Sequence, residues 1–223
     1  MPAHNEPVTP TGGWSDPEQV AWYTARVGKL EARQAGEQML VEVLPLAPHR
    51  VLDLGCGDGR LSARVLENRS SVQELVAVDI SAPMLELAEQ RFAGHEQVQI
   101  RTWDLRDSIA TLGAFDVIIS GFAIHHLTHA RKRTLFAEIA EQLTPGGSFA
   151  NLEVVASATP QRHAEFLAAI GRTADDAEDQ LAGVEQQLIW TREAGLTNVD
   201  CLWRWRGFAL LVGDAPPAPA HMR

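Results

Sequence analysis

The most informative stretch of the chain is Val51-Leu52-Asp53-Leu54-Gly55-Cys56-Gly57-Asp58-Gly59-Arg60-Leu61. It begins as a short apolar run, passes through three glycines spaced as G-x-G-x-G and continues into a segment with helical spacing. Glycines allow a tight turn and let a ligand approach the backbone without interference from a Cβ atom. The stretch therefore predicts a strand, a cofactor-binding loop and a helix, in that order.

Apolar and amphipathic segments alternate on both sides of this loop. The first five predicted strands are apolar almost throughout, as in a sheet that is buried on both faces; they span 50–54, 75–80, 98–103, 115–120 and 148–155. The predicted helices that follow the first four of them span 60–68, 82–92, 105–112 and 129–143. Strands that alternate with helices imply βαβ units, and we therefore expect an α/β fold with a parallel sheet.

Different patterns flank this core. Residues 16–44 are predicted as one helix that begins at Ser15 or Asp16, with Pro17 in its first turn. Helices are also predicted over 159–170 and 175–194, so that 156–195 forms a helical insertion. Strands 199–205 and 208–212 are joined by two residues, too few for a parallel crossover, so this pair must be antiparallel.

We expect one domain over residues 14–213, in which 14–44 form an N-terminal helical lid. A flexible segment over 1–13 and a Pro-rich tail over 214–223 flank it.

Composition excludes several classes of protein. The chain has 223 residues, of which 45% are hydrophobic, and its net charge of −10 opposes nonspecific attraction to nucleic-acid phosphates. No apolar run approaches the length of a membrane span. Cys56 and Cys201 are the two cysteines, and such sparse use favours a cytoplasmic location with reduced thiols.

Three acids at strand ends indicate the kind of cofactor. Asp79 lies 20 residues after Gly59, where a carboxylate can accept hydrogen bonds from both hydroxyls of a ribose. Asp104 ends the third strand, where it could meet an exocyclic amine. Asp53 precedes the glycines and would repel a pyrophosphate, but it suits an ammonium or sulfonium group. The charge pattern favours S-adenosylmethionine (SAM) over a nicotinamide dinucleotide.

Over roughly residues 15–213 the sequence resembles the class I SAM-dependent methyltransferases. The resemblance rests on the glycine loop and on five further motifs, which are Val78-Asp79-Ile80-Ser81, Trp103-Asp104-Leu105, Phe115-Asp116-Val117-Ile118-Ile119-Ser120, Ile124-His125-His126-Leu127 and Leu143-Thr144-Pro145-Gly146-Gly147. It implies a Rossmann-like, seven-stranded, mostly parallel sheet with an antiparallel final hairpin and helices on both faces. It also implies SAM as cofactor and S-adenosylhomocysteine as product.

The resemblance further implies roles for individual residues. The residues implied to contact the methionine part of SAM are Gly55, Cys56, Gly57, Ser120 and Gly121, with Asp79 on the ribose. Those implied to contact the adenine are Ile80, Met84, Asp104 and Leu105. Tyr23 and Arg26 are expected to cover SAM, the ring by cation–π attraction to the sulfonium and the arginine by pairing the carboxylate.

Candidate catalytic residues follow the fourth and fifth strands. His125 and His126 come after the fourth strand, and Glu153 ends the fifth, at the edge where ligands bind in open α/β sheets. Any of them could orient or deprotonate an acceptor, and each could equally have a structural role. Side chains of adjacent histidines usually diverge, so we expect no metal site.

The sequence predicts a methyltransferase that acts on O, N or C of a small-molecule acceptor. The acceptor would lie between the sheet edge, the N-terminal helix and the insertion. Alternatives are a tRNA- or RNA-modifying methyltransferase and a protein that binds SAM without transferring methyl; a nicotinamide dehydrogenase is disfavoured by Asp53. Nucleic-acid and membrane partners are not expected, and we expect a monomer or homodimer.

Overall fold

A computed structural model of the chain describes residues 13–218. The helices are α1 (Pro17–Val27), α2 (Glu31–Val43), α3 (Arg60–Asn68), α4 (Ala82–Arg91), α5 (His129–Gln142), α6 (Pro160–Ala169) and α7 (Val184–Glu193). The strands are β1 (Arg50–Leu54), β2 (Glu74–Asp79), β3 (Val98–Thr102), β4 (Phe115–Gly121), β5 (Leu143–Val154), β6 (Thr197–Trp205) and β7 (Phe208–Asp214). A single 3₁₀ turn, Ile124–His126, follows β4.

The strands form one seven-stranded sheet in the order β3-β2-β1-β4-β5-β7-β6. The pairs among β1 to β5 are parallel, whereas β7 is antiparallel to both β5 and β6. From β1, strands β2 and β3 are added on one side of the sheet and β4 and β5 on the other. This change in strand order places the carboxyl ends of β1, β2 and β4 around one crevice. This architecture confirms the predicted fold class.

Apolar side chains fill both faces of the sheet. One cluster packs Leu52, Ile118 and Phe149 against α5 and α7, and the other packs Val51, Ile119 and Leu152 against α2 and α3. Because successive residues of a strand point to opposite faces, strands covered on both sides must be apolar at nearly every position. The continuous apolar runs of the sequence have this origin.

The predicted helix over 16–44 is wrong, because two helices occupy this region. Asp16 caps α1 through its side chain, which accepts a hydrogen bond from the backbone N–H of Glu18. The first helix ends at Gly28, a residue that lowers helix stability by about 1 kcal/mol relative to alanine. A Cβ atom at Gly28 would lie 2.9 Å from a guanidinium nitrogen of Arg60, so the break lets the chain pack closely against α3.

The predicted helix over 105–112 is also wrong. Residues 103–114 form turns without a helix. The Asp104 carboxylate accepts a hydrogen bond from the backbone N–H of Arg106, and the Arg131 guanidinium donates to the carbonyls of Leu105 and Asp107. Side chains thereby satisfy backbone groups that would otherwise pair within a helix.

The last predicted helix is shorter than expected. It begins at Val184 rather than near residue 175. Within 175–183, the Asp179 carboxylate accepts from the backbone N–H of Asp176, and Asp176 pairs with Arg172. These local hydrogen bonds favour turns over helix. The segment so formed returns to the sheet edge, where it contributes Asp179.

The expected terminal segments lie mostly outside the described residues. Strand β7 runs to Asp214, and the following residues hydrogen-bond to Gly146 and Gly147, so the first residues of the predicted tail continue the pairing with β5. Within residues 13–218, no helix combines the length and apolarity needed to cross a bilayer.

Candidate active site

The glycine loop lies at the carboxyl end of β1 with its backbone tied to β2. The backbone N–H groups of Gly55 and Cys56 both donate to the carbonyl of Val78, at 2.8 and 2.9 Å. Gly55 has φ of +71°, and a Cβ atom there would lie 2.2 Å from Cβ of Ala123. Gly57 has φ of +55°. Side chains at these positions would be strained, so the turn requires glycine.

Asp79 is bound to the same loop. Its carboxylate accepts hydrogen bonds from the backbone N–H groups of Gly57 and Ser81, at 2.8 and 2.9 Å. Burial raises the pKa of Asp79, while these backbone donors oppose that rise. A carboxylate has about four lone-pair positions, so two bonds from the protein leave acceptor capacity toward the cavity.

Asp53 is fully buried at the end of β1. One carboxylate oxygen accepts from the hydroxyl of Ser62 at 2.6 Å, whereas the other has no hydrogen-bond partner among the described residues. Burial raises the pKa of Asp53 to about 7, against the Ser62 hydrogen bond, and the charges of Asp79 and Asp58 add to the rise. An unpaired buried carboxylate oxygen beside a cavity is a ready partner for a cationic ligand group.

These residues line a cavity of about 540 Å³ between the sheet edge and the N-terminal helices. Predicted site residues that line it are Tyr23, Asp53, Gly55, Cys56, Gly57, Asp79, Ile80, Met84, Asp104, Leu105, Gly121 and His126. Met84 is almost fully buried, whereas half of the Ile80 side chain is exposed. Asp104 pairs with Arg106, which lowers the pKa of Asp104.

Two predicted cofactor residues lie elsewhere in the described part of the chain. The guanidinium of Arg26 stacks on the ring of Trp22, 4.5 Å from its centroid, and does not line the cavity. Ser120 is buried in the sheet, where its hydroxyl donates to the carbonyl of Leu54 at 2.8 Å. The alternation of side chains along β4 turns Ser120 away from the cavity that the next residue, Gly121, lines.

Arg33 of α2 occupies the position expected of Arg26. Its guanidinium donates to the hydroxyl of Tyr23 at 2.6 Å and to Glu37 at 3.0 Å. It also lies over the ring of Phe122, 4.2 Å from the centroid. Both Arg33 and Tyr23 line the cavity, where they place a cation and an aromatic ring side by side.

Glu37 anchors the N-terminal helices to the core. This carboxylate is almost fully buried and pairs with Arg33, Arg60 and Arg64, at 3.0, 2.6 and 3.1 Å. Three guanidinium groups around one carboxylate leave an excess of positive charge, and Arg33 and Arg60 both line the cavity. Such a cluster can bind a carboxylate of a ligand.

An aromatic cover closes the cavity from the N-terminal side. The ring of Trp14 packs edge-on against Tyr23, with centroids 5.0 Å apart, and lies 5.8 Å from the ring of His126. The Ser81 hydroxyl donates to the carbonyl of Trp14, which ties the cover to the start of α4. The N-terminal region is therefore docked over the crevice.

The predicted catalytic residues meet at the far end of the cavity. Nδ1 of His125 lies 2.7 Å from a carboxylate oxygen of Glu153, and both side chains are buried behind the lining. His126 does line the cavity. Asp179, from the loop before α7, approaches both histidines, with its Oδ1 atom 3.5 Å from His125 and 3.3 Å from His126.

Residues 51–147 match the family model described as a methyltransferase domain. This central part of the chain, which includes the glycine loop, is therefore similar to a methyltransferase domain. An uncharacterized methyltransferase of Mycobacterium tuberculosis is 35% identical over 124 residues, covering 56% of this chain and 58% of the relative. A demethylmenaquinone methyltransferase of Leptospira interrogans is 38% identical over 108 residues, covering 47% and 42%. The chain thus spans about half the length of these curated relatives.

Solved methyltransferases share the fold of this chain. Human N-acetylserotonin methyltransferase in complex with SAM superposes with a TM-score of 0.69 at 15% identity, over 97% of this chain and 60% of that one. An O-methyltransferase family protein from Burkholderia thailandensis gives 0.68 at 21% identity, over 92% and 64%. These similarities support the predicted methyltransferase family and confirm the fold.

The residues around the cavity fit SAM. The unpaired Asp53 oxygen suits the ammonium group, the excess positive charge around Arg33 suits the carboxylate, and Asp79 keeps acceptor capacity for hydroxyl groups. At Gly57 an added Cβ atom would meet nothing closer than Sδ of Met84 at 3.9 Å, so the loop leaves open space on its cavity side. Donors and acceptors of both charges are thus available within one cavity.

Sequence reasoning missed several residues of the site, among them Trp14, Arg33, Glu37, Arg60 and Asp179. Arg33 and Glu37 lie at positions i and i+4 of a predicted helix. This spacing is typical of ion pairs and could have predicted their contact. Asp179 offers no such signal, because only the tertiary fold brings it to the histidines.

Proposed function

We propose that this chain transfers the methyl group of SAM to a small-molecule acceptor bound beside His126. The observation that carries the proposal is the size and position of the cavity, which is partly open to solvent and is covered on one side by Trp14 and Tyr23 of the N-terminal region. A cavity of about 540 Å³ is within the usual size range of small-molecule sites, roughly 300–1,000 Å³.

The charge of the cavity also favours a small acceptor over RNA. Its described lining includes six acids, namely Glu37, Asp53, Asp58, Asp79, Asp104 and Glu178, against three arginines, namely Arg33, Arg60 and Arg106. Two of those arginines pair with Glu37, and the third pairs with Asp104. A polyanion entering here would meet a surplus of negative charge.

Two basic clusters that could contact nucleic acid are Arg131-Lys132-Arg133 and the pair Arg204 and Arg206, which alternates with Trp203 and Trp205; residues of both clusters have contacts within the chain. Arg131 pairs with Glu138, and Arg133 pairs with Glu193. Trp203 packs against the apolar clusters of the sheet, and Trp205 lies against Phe208. These groups therefore serve packing and ion pairing, which weakens the argument for a nucleic-acid surface.

When bound, SAM supplies an electrophilic methyl group on a sulfonium centre. In the proposed arrangement Asp79 accepts from the ribose hydroxyls, Asp53 pairs with the ammonium group and Arg33 with the carboxylate. The rings of Trp14 and Tyr23 exclude water from the cavity. His126 contacts the acceptor, and Glu153 holds His125 behind it. Positioning and water exclusion are the main tasks of such a site, because the leaving group needs no further activation.

The names of the curated relatives support a small acceptor. Those named demethylmenaquinone methyltransferases have a small molecule as the acceptor in their name. Their similarity covers about half of this chain and half or less of their own length, so it supports the class of acceptor rather than its identity.

The test offers the purified chain SAM with an isotopically labelled methyl group, together with a bacterial cell extract separated by size into metabolites and RNA. We expect label in a metabolite, detected by mass spectrometry, with the native chain and with the control Asp200→Ala, which changes an exposed acid of β6. Asp79→Ala should transfer little or none.

Each other outcome contradicts the proposal. Label in the RNA fraction would assign the chain to RNA modification. SAM binding in a calorimeter without label in either fraction would indicate a protein that binds SAM without transferring methyl.

A further inference from the structure

Two histidines and an acid converge beside the cavity. His125, His126 and Asp179 each offer one ligand atom, and these atoms lie within 4.8 Å of one another. Nδ1 of His126 and Oδ1 of Asp179 are buried and lie 3.3 Å from each other, and no other group within residues 13–218 donates a hydrogen bond to Oδ1 or accepts one from Nδ1. The Asp179 side chain is only 7% exposed.

Two distances in this cluster match the spacing of ligands around one metal ion. For metal–ligand bonds of about 2.1 Å in a tetrahedral arrangement, neighbouring ligand atoms lie about 3.4 Å apart. Oδ1 of Asp179 lies 3.3 Å from Nδ1 of His126 and 3.5 Å from Nε2 of His125. Adjacent histidines were expected to diverge, but on the 3₁₀ turn their ring centroids are 3.9 Å apart and both face Asp179.

We propose that His125, His126 and Asp179 bind one divalent transition-metal ion of the zinc class. Two imidazole nitrogens and one carboxylate oxygen form a donor set suited to Zn²⁺, Co²⁺ or Fe²⁺ rather than to Mg²⁺ or Ca²⁺. This inference does not depend on the acceptor proposed above, and it replaces the sequence-based expectation that the chain has no metal site.

Glu153 completes the arrangement from behind. Its Oε1 atom lies 2.7 Å from Nδ1 of His125, which leaves Nε2 of that ring directed at Asp179. Histidines that bind metals commonly donate their other N–H to a carboxylate, which fixes the tautomer and orientation of the ring. Glu153 is thus a positioning residue of the proposed site.

Hydrogen bonds to backbone carbonyls hold the segments that carry the three ligands together without a metal. Nζ of the buried Lys132 donates to the carbonyls of His125, Leu127 and Gln180, and so joins the histidine turn to the segment that carries Asp179. The backbone N–H of Gln180 also donates to the carbonyl of His125 at 2.9 Å. The other oxygen of Asp179 accepts from the backbone N–H of Asp176, which leaves Oδ1 for a ligand role.

The position of the site gives such an ion access to ligands. Three protein ligands leave at least one coordination position open, as in zinc sites that bind water or substrate. His126 lines the cavity, so an exogenous ligand with an oxygen, nitrogen or sulfur donor would enter from that side.

The test titrates the metal-free full chain with Zn²⁺ in a calorimeter and with Co²⁺ while visible absorption is recorded. We expect one ion per chain and the intense bands of four-coordinate Co²⁺. Asp179→Asn, which keeps an oxygen for the Asp176 N–H, and His126→Ala should abolish both signals. Glu153→Gln should weaken binding by about 10–100-fold.

A matched control is His163→Ala, which removes a histidine that pairs with Asp175 outside the cavity, at 2.8 Å. It should bind Zn²⁺ as the native chain does. SAM affinity, measured for every variant, shows that the fold is intact. Absence of binding by the native chain, or equal affinity in Asp179→Asn and His126→Ala, would overturn the proposal and leave a buried polar cluster of structural role.

Discussion

The two ends of the cavity are assembled differently. The cofactor end is formed by Asp53, Gly55 and Asp79, which lie at the carboxyl ends of the adjacent strands β1 and β2. Hydrogen bonds from backbone N–H groups of the glycine loop connect the two strand ends. The acceptor end brings His125, Glu153 and Asp179 together from three separate segments. Local sequence patterns therefore predict the first end. The second end depends on the sheet order and on the conformation of the loop before α7.

Replacing Gly55 by alanine should have the largest effect, because it disrupts the turn of the glycine loop at the cofactor end. The alanine would have to adopt a left-handed φ, and its Cβ atom would lie 2.2 Å from Cβ of Ala123. We expect a loss of about 2–4 kcal/mol in the free energy of unfolding, measured with urea, and loss of SAM binding.

Gly94→Ala is the matched control. Gly94 has φ of +87°, but an added Cβ atom there would meet nothing within 4 Å. This variant should therefore lose only about 1 kcal/mol, from backbone strain alone. Equal losses in the two variants would show that the close approach to Ala123 is of no consequence.

Asp79→Ala should weaken SAM binding by at least tenfold, about 1.4 kcal/mol, because the ribose hydroxyls lose their acceptor. Calorimetry with SAM measures the change, and Asp200→Ala, on an exposed residue of β6, should leave the affinity as it is. Unchanged affinity in Asp79→Ala would refute the ribose assignment.

The arginines of the N-terminal helices test how the cover takes part in the cofactor end. Arg33→Ala should weaken SAM binding roughly fivefold, or about 1 kcal/mol, with Arg60 near enough to compensate in part. Arg26→Ala should change nothing, because this side chain stacks on Trp22 outside the lining. A larger loss of SAM affinity in Arg26→Ala than in Arg33→Ala would instead support the sequence-based prediction that Arg26 pairs with the carboxylate of SAM.

Asp53 tests the cofactor end through the pH dependence of stability. Its folded pKa of about 7 exceeds the unfolded value of 3.8, so the folded chain holds an extra proton between these values. The contribution of Asp53 to stability therefore falls as pH rises through this window and is lost above it.

Asp53→Asn removes this dependence. The free energy of unfolding of the variant minus that of the native chain should rise by at least about 1 kcal/mol between about pH 5 and pH 8. Urea titrations at several pH values measure it, with Asp200→Asn as a control whose difference should stay flat. A flat difference for Asp53→Asn would contradict the raised pKa.

Sequence patterns captured the sheet because its strands are apolar on both faces and its glycine loop is constrained locally. The bounds of β1 and α3 match the prediction, and the antiparallel end of the sheet followed from the two-residue turn after Trp205. The erroneous helices at 105–112 and 175–183 share one cause. Both have helical spacing, but Asp, Arg and Ser side chains satisfy their backbone groups in turns.

The acceptor end could not be predicted for a related reason. The motif that contains His125 and His126 was visible, and so was Glu153 at the end of its strand. Their partner Asp179 belongs to a segment without a motif that was predicted as helix, and its approach depends on the Lys132 contacts that join two loops. Arg33, on the helix that follows the break at Gly28, lines the cavity, whereas Arg26 near the end of α1 does not.

The most direct test of the account is a crystal structure of the chain with S-adenosylhomocysteine, which tests the cofactor end as a whole. We predict the ligand in the cavity, with its ribose hydroxyls about 2.7 Å from the Asp79 carboxylate and its ammonium group against Asp53. A ligand bound elsewhere, or one whose ribose does not contact Asp79, would contradict the assignment.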